Sequence, residues 1–83
     1  MNLDEALARL EAAGDAERAA GAAAYHKAPR RYLGVTVPVV TELAQGWRAD
    51  LDVEGRVALA AALWESDIHE ARIAAAKLLT QAR

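Results

Sequence analysis

The spacing of its helix breakers constrains this chain more than any other feature. Among 83 residues there are only two prolines and five glycines, and Ala, Leu, Arg, Glu and Lys fill most of the intervals. All five are strong helix formers. Val35-Thr36-Val37 is the only strand-like stretch, and Pro38 stops it. The expectation is an all-α chain of about five helices.

The capping and periodicity signals place them at about 3–13, 16–26, 38–48, 53–66 and 69–82. Asn2 with Glu5 forms a capping-box pattern ahead of Leu3, Leu7 and Leu10, and Gly14 ends that helix. Asp15 caps the second helix, whose Ala19, Ala20, Ala23 and Ala24 would let a neighbouring backbone approach closely. From His26 to Val37 periodicity is lost, and Pro29, Gly34 and Pro38 mark a loop. Pro38 then falls in the first turn of the third helix, where a missing N–H costs nothing. Val40, Leu43, Ala44 and Trp47 give that helix an i, i+3, i+4, i+7 stripe. In the fourth, Val53, Val57, Ala60 or Ala61 and Trp64 share a face that Leu59 and Leu63 widen, and the fifth shows Ala71, Ala75, Leu78 and Ala82. Trp47 and Trp64, each on its stripe, are read as core residues rather than base-stacking ones.

Helix pairs joined by short turns, with a repeat of roughly 30 to 35 residues, suggest antiparallel hairpins of a HEAT-like α-solenoid. Two and a half hairpins leave an open, apolar end, and the last helix reaches Arg83 with no stop signal. Either the natural protein continues past that point or the end is covered by self-association. Hydrophobic residues make up 54% of the chain but aromatics only 5%, with no Phe, so Ala dominates a thin core. With no cysteine there is no disulfide framework, no thiolate zinc site and no cysteine nucleophile. No apolar run approaches the ~18 residues of a membrane span, and the start Met1-Asn2-Leu3-Asp4-Glu5 lacks a basic leader. These features suit a cytoplasmic protein.

The net charge of −2 conceals an uneven distribution. Residues 1–25 carry −3, residues 26–34 carry +3, residues 35–56 carry −2, and the remainder is neutral. The basic concentration is Lys27, Arg30 and Arg31, bracketed by Tyr25, His26 and Tyr32. Cations interleaved with aromatic rings suit nucleic acid, because the cations meet phosphate while rings lie against a base or sugar. The plainer alternative is a solvated loop whose Tyr32 and Leu33 tuck under the helices.

The run Ala24-Tyr25-His26-Lys27-Ala28-Pro29-Arg30-Arg31-Tyr32-Leu33-Gly34-Val35, the downstream Pro38, and Leu63-Trp64 followed by the Glu70 to Leu79 helix resemble one known family. It is the DNA alkylation repair family, the AlkD-like alkylpurine DNA glycosylases built of HEAT-like repeats. The resemblance spans nearly the whole chain but only about the N-terminal third of that family's length. It implies cleavage of the N-glycosidic bond of N3- or N7-alkylated purines in a duplex held in a concave, basic groove, without a base-flipping pocket. A cationic purine is already a good leaving group, so electrostatic stabilisation of the sugar suffices without a strong general acid. Tyr25 matches the family's N-terminal lesion-facing tyrosine in its distance before the Leu-Gly pair. The family's catalytic Asp and neighbouring Trp have no matching position here, so no catalytic residue is assigned. The partner implied is double-stranded DNA containing alkylated bases, contacted through Tyr25, Lys27, Arg30 and Arg31.

Other chemistry finds little support. Asp67, His69 and Glu70 have metal-ligand side chains at short spacing, but no Cys and no second nearby His completes a shell, and capping of a helix start explains them better. His26 lacks an evident nucleophile or orienting acid, so a general-base role is weaker than exposure or a DNA-backbone contact. The glycines are dispersed and Ser66 is the sole serine, so there is no phosphate loop or nucleophile elbow. No metal or cofactor is expected. The alternative to a DNA-groove segment without its catalytic part is a freestanding helical module that dimerises, or binds another helix, through its Ala/Leu end.

Overall fold

A computed structural model describes residues 1–26 and 30–80. The expectations for Lys27 and Ala82 lie outside the described residues. Five helices follow one another: α1 (Leu3–Ala12), α2 (Ala16–His26), α3 (Val37–Asp50), α4 (Val53–Glu65) and α5 (His69–Thr80). No strand occurs among the described residues, and the fold is all-α.

The helix starts are written in side-chain chemistry. Asn2 Oδ1 accepts the Glu5 N–H at 2.9 Å while the Glu5 carboxylate accepts the Asn2 N–H at 3.2 Å, closing the capping box of α1. Asp15 Oδ1 accepts the N–H groups of Glu17 and Arg18, and Asp52 Oδ1 accepts that of Gly55 at 2.7 Å. These bonds satisfy donors that a helix start otherwise leaves without partners. Pro38 sits in the first turn of α3, after Thr36 as N-cap.

α5 is the centre of the packing. It buries Ala71, Ala74, Ala75 and Leu78 and lies against both α3 and α4, while α1 packs on α4 and α5. The small alanines let neighbouring backbones approach, and Leu10, Val40, Trp47, Leu59 and Leu63 fill the space around them. Each fully buried Leu is worth roughly 1.5–3 kcal/mol.

Two expectations fail here. The buried face of α4 is Leu59, Ala60 and Leu63, whereas Val53, Val57 and Trp64 point outward, Trp64 being 49% exposed. Apolar residues surround α4 almost completely, so periodicity alone does not select the inward face. The second failure is α2, which buries no residue and leaves Ala20, Ala23 and Ala24 exposed. Among the described residues, the backbone that comes close to α2 is the loop at Gly34, and it meets the first turn at Asp15 and Ala19.

Candidate nucleic-acid interface

The segment from Arg30 to Thr36 is pinned from three sides. Leu33 O accepts the Asp15 N–H at 3.0 Å, and Gly34 O accepts from Arg18 Nη1 at 3.3 Å, which ties the loop to the start of α2. Arg31 O accepts the His69 N–H at 2.9 Å, beside a parallel bridge between Arg31 and Ile68. From α5, Glu70 reaches into the loop: Oε1 accepts the Leu33 N–H at 2.9 Å, and Oε2 accepts those of Gly34 and Val35 at 2.9 and 3.2 Å. Glu70 is only 2% exposed. Burial without such partners would cost several kcal/mol, so the three donors explain how this carboxylate is tolerated in the core.

Gly34 has φ +80, and a Cβ there would overlap the carbonyl oxygen of Asp15 and crowd the Ala19 N–H. Glycine is therefore required twice over, by backbone conformation and by the approach of α2. Leu33 and Val35 point into the core. The tucked-loop reading thus describes Leu33 well and Tyr32 in part, since Tyr32 is half-buried, while Arg31 and the rings of Tyr25 and His26 stay exposed.

Tyr25, in the last turn of α2, is 83% exposed, so it does not face the core. Next to it, His26 makes an edge contact with Tyr25 at 5.1 Å between ring centroids, stacks on Tyr32 at 5.9 Å, and meets His69 at 4.6 Å. Tyr32 and His69 are 4.9 Å apart. α2 is thus held at its two ends, by the loop at its first turn and by a ring cluster at its last. Partial burial lowers the His69 pKa below its ordinary value; Glu70 opposes this, while the positive fields of His26 and Arg30 reinforce it. The Asp15 carboxyl is also lowered, chiefly by the hydrogen bond from the Arg18 N–H.

The two described arginines differ. Arg30 is half-buried, with Nε 3.7 Å from Asp67 Oδ1 and lacking a hydrogen-bond partner among the described residues. Asp67, at φ 55, also pairs with Arg72 at 3.2 Å, and the Arg72 guanidinium lies 4.6 Å above the Trp64 ring. Arg31 is exposed, its only ion pair among the described residues being a long one of 3.9 Å to Glu11. Asp67, His69 and Glu70 do not converge on a common point: Asp67 serves arginines, His69 the ring cluster and Glu70 the loop. Sequence reasoning missed Glu70 as the loop's anchor, since its partners lie 35 to 37 residues earlier.

Away from this surface, α4 and α5 enclose an apolar groove of about 500 Å³ lined by Val57, Ala61, Trp64, Ala76 and Leu79 among others. No described helix is long and apolar enough to cross a membrane.

Fold and site together define an all-α protein that displays a rigidly anchored, basic loop flanked by aromatic rings. A family model described as DNA alkylation repair enzyme matches residues 6–83, and the chain belongs to that family. No curated protein and no solved structure matched it.

Proposed function

We propose that this chain forms the first, DNA-facing wall of a DNA alkylation repair glycosylase of HEAT-like architecture that excises N3- or N7-alkylated purines. In this reading the catalytic carboxylate lies outside residues 1–83. Tyr25 meets the lesion-bearing strand, and Lys27, Arg30 and Arg31 meet phosphates. The observation that carries the reading is an 83%-exposed Tyr25 beside a loop that Glu70 anchors from the core, within a chain of this family. A large aromatic ring left in solvent buries nothing for folding, whereas a base or deoxyribose would cover it.

Binding to a duplex carrying an N7-alkylpurine tests it. If two or three cations engage phosphates, log K falls with log salt at a slope of about −1.8 to −2.7, so affinity drops roughly 12- to 40-fold between 50 and 200 mM salt. A salt-insensitive signal would count against a DNA-facing loop. Reading the gene beyond the codon for Arg83 supplies a second test: further helical repeats with a Trp and Asp pair support the assignment, and an immediate stop codon contradicts it.

The groove between α4 and α5 favours a second reading, a helical module that associates with its own copy. That surface carries both a cavity and the half-exposed side chains of Trp64 and Leu79 that a copy's cavity would receive. A two-fold interface needs such self-complementarity. A concentration-dependent mass in sedimentation supports this reading, and a strict monomer at high concentration opposes it.

A further inference from the structure

The ring cluster at the end of α2 unites residues from three separate parts of the chain: His26 from α2, Tyr32 from the loop and His69 from α5. Packing alone does not require two imidazoles there, since His26 is exposed and phenyl rings would fill the same contacts. Imidazoles differ from phenyl rings in that each takes up a proton near neutral pH and then donates from both nitrogens. We propose that His26 and His69 form a phosphodiester-binding site whose affinity for DNA rises as the two imidazoles become protonated. This rests on the DNA-facing reading of the loop and assigns two further residues to that surface.

The charges around the pair set its behaviour. From α2 come His26 itself and the phenol of Tyr25; from the loop, Arg30, Arg31 and Tyr32. The turn before α5 contributes Asp67, α5 contributes His69 and Glu70, and α1 contributes Glu11 opposite Arg31. Glu70 is occupied by three backbone donors, and Asp67 by two arginines. The nearest carboxylates are therefore engaged elsewhere. With ring centroids 4.6 Å apart, the positive field of His26 opposes protonation of His69, and an anion lying against the pair would offset it. A DNA phosphate supplies that anion, and the same linkage makes bound DNA raise the pKa of each imidazole.

The test measures binding of the 83-residue chain to a 20-base-pair duplex at pH 5.5 and 7.5 across a salt series, with an NMR titration of both imidazoles with and without DNA. Acidification should tighten binding roughly tenfold per imidazole engaged at 100 mM salt and steepen the salt slope by about 0.9 for each. The NMR titration of the unaltered chain should show both imidazole pKa values moving upward on DNA. In a His26→Gln, His69→Gln double variant that retains its helicity, affinity should be the same at both pH values. Binding with no pH step, a step that survives in the double variant, or imidazole titrations unmoved by DNA would each overturn the proposal while leaving the DNA-facing loop intact. Absence of binding at both pH values would overturn the DNA-facing reading and this site with it.

Discussion

Glu70 Oε2 accepts the backbone N–H of Gly34 at 2.9 Å, joining the core helix to a loop 36 residues earlier in the chain. The same carboxylate also holds Leu33 and Val35. With the bonds from Asp15, Arg18 and His69, this attachment positions what the chain presents at Arg31 and Tyr32, because α2 itself contributes no buried residue.

Replacing Glu70 with Ala strands three N–H groups in the interior. Each buried donor left without a partner costs roughly 1–3 kcal/mol, against a total of about 4–12 kcal/mol for a domain of this length. Glu70→Ala should therefore lose about 3 kcal/mol or more in denaturant unfolding. Glu70→Gln, which keeps the shape but turns an N–H donor toward donors, should fall between it and the parent. A change under about 1 kcal/mol for Glu70→Ala would show that the loop does not depend on this anchor.

Gly34→Ala and Gly46→Ala should move stability in opposite directions. At Gly34 the φ of +80 and the overlap of a Cβ with the Asp15 carbonyl combine strain with a backbone collision. The expected loss is about 2 kcal/mol or more, or roughly 10 °C in Tm. Gly46 lies inside α3 and a Cβ there meets nothing within 4 Å, so alanine should stabilise by about 0.5–1 kcal/mol through helix propensity. Thermal melts of the two variants check both signs.

Much of this architecture is legible in the sequence. The caps at Asn2 and Asp15, the placement of Pro38 and the stripe of α3 through Val40, Ala44 and Trp47 are all local, and local signals survive folding. α4 is different: a helix apolar nearly all round carries no periodic instruction, so whether Leu63 or Trp64 turns inward is decided by α5 and α1. At the candidate site, the basic residues and rings are visible as a run, but the Glu70 anchor and the His26–His69 contact are not. Both arise from tertiary approach between segments more than 30 residues apart.

Because α2 is secured at its ends and lacks a buried face, it should open more readily than the rest. Amide hydrogen exchange should be fastest, among the five helices, in the middle of α2 and slowest in α5, which is packed against α3 and α4. Equal protection of α2 and α5 would mean that the end contacts alone fix the helix.

Acid should weaken the fold in two windows. His69 has a lowered pKa in the folded chain, so below its ordinary value of about 6.5 the unfolded chain takes up protons first. Its contribution is intact above that pH and is lost as pH falls through the folded value. His69→Gln should flatten this upper window in pH-dependent melts. Asp15 is lowered from 3.8, so its contribution to capping α2 is complete above that value and lost as pH falls through the lowered one. Asp15→Asn caps without titrating, and its Tm should converge with that of the parent on acidification through the second window only.

The two described arginines of the loop should separate stability from binding. Arg30 is half-buried against Asp67, which in turn holds Arg72 across the start of α5. Truncating Arg30 removes packing and one partner of that cluster, so Arg30→Ala should lower Tm measurably. Arg31 is more exposed, and its 3.9 Å pair with Glu11 is long enough to contribute little. Its charge remains available to a phosphate, so Arg31→Ala should change stability by no more than about 0.5 kcal/mol yet reduce the salt slope of DNA binding by about 0.9. An Arg31→Ala variant that unfolds the chain, or one that binds DNA with an unchanged slope, would contradict a phosphate contact at Arg31.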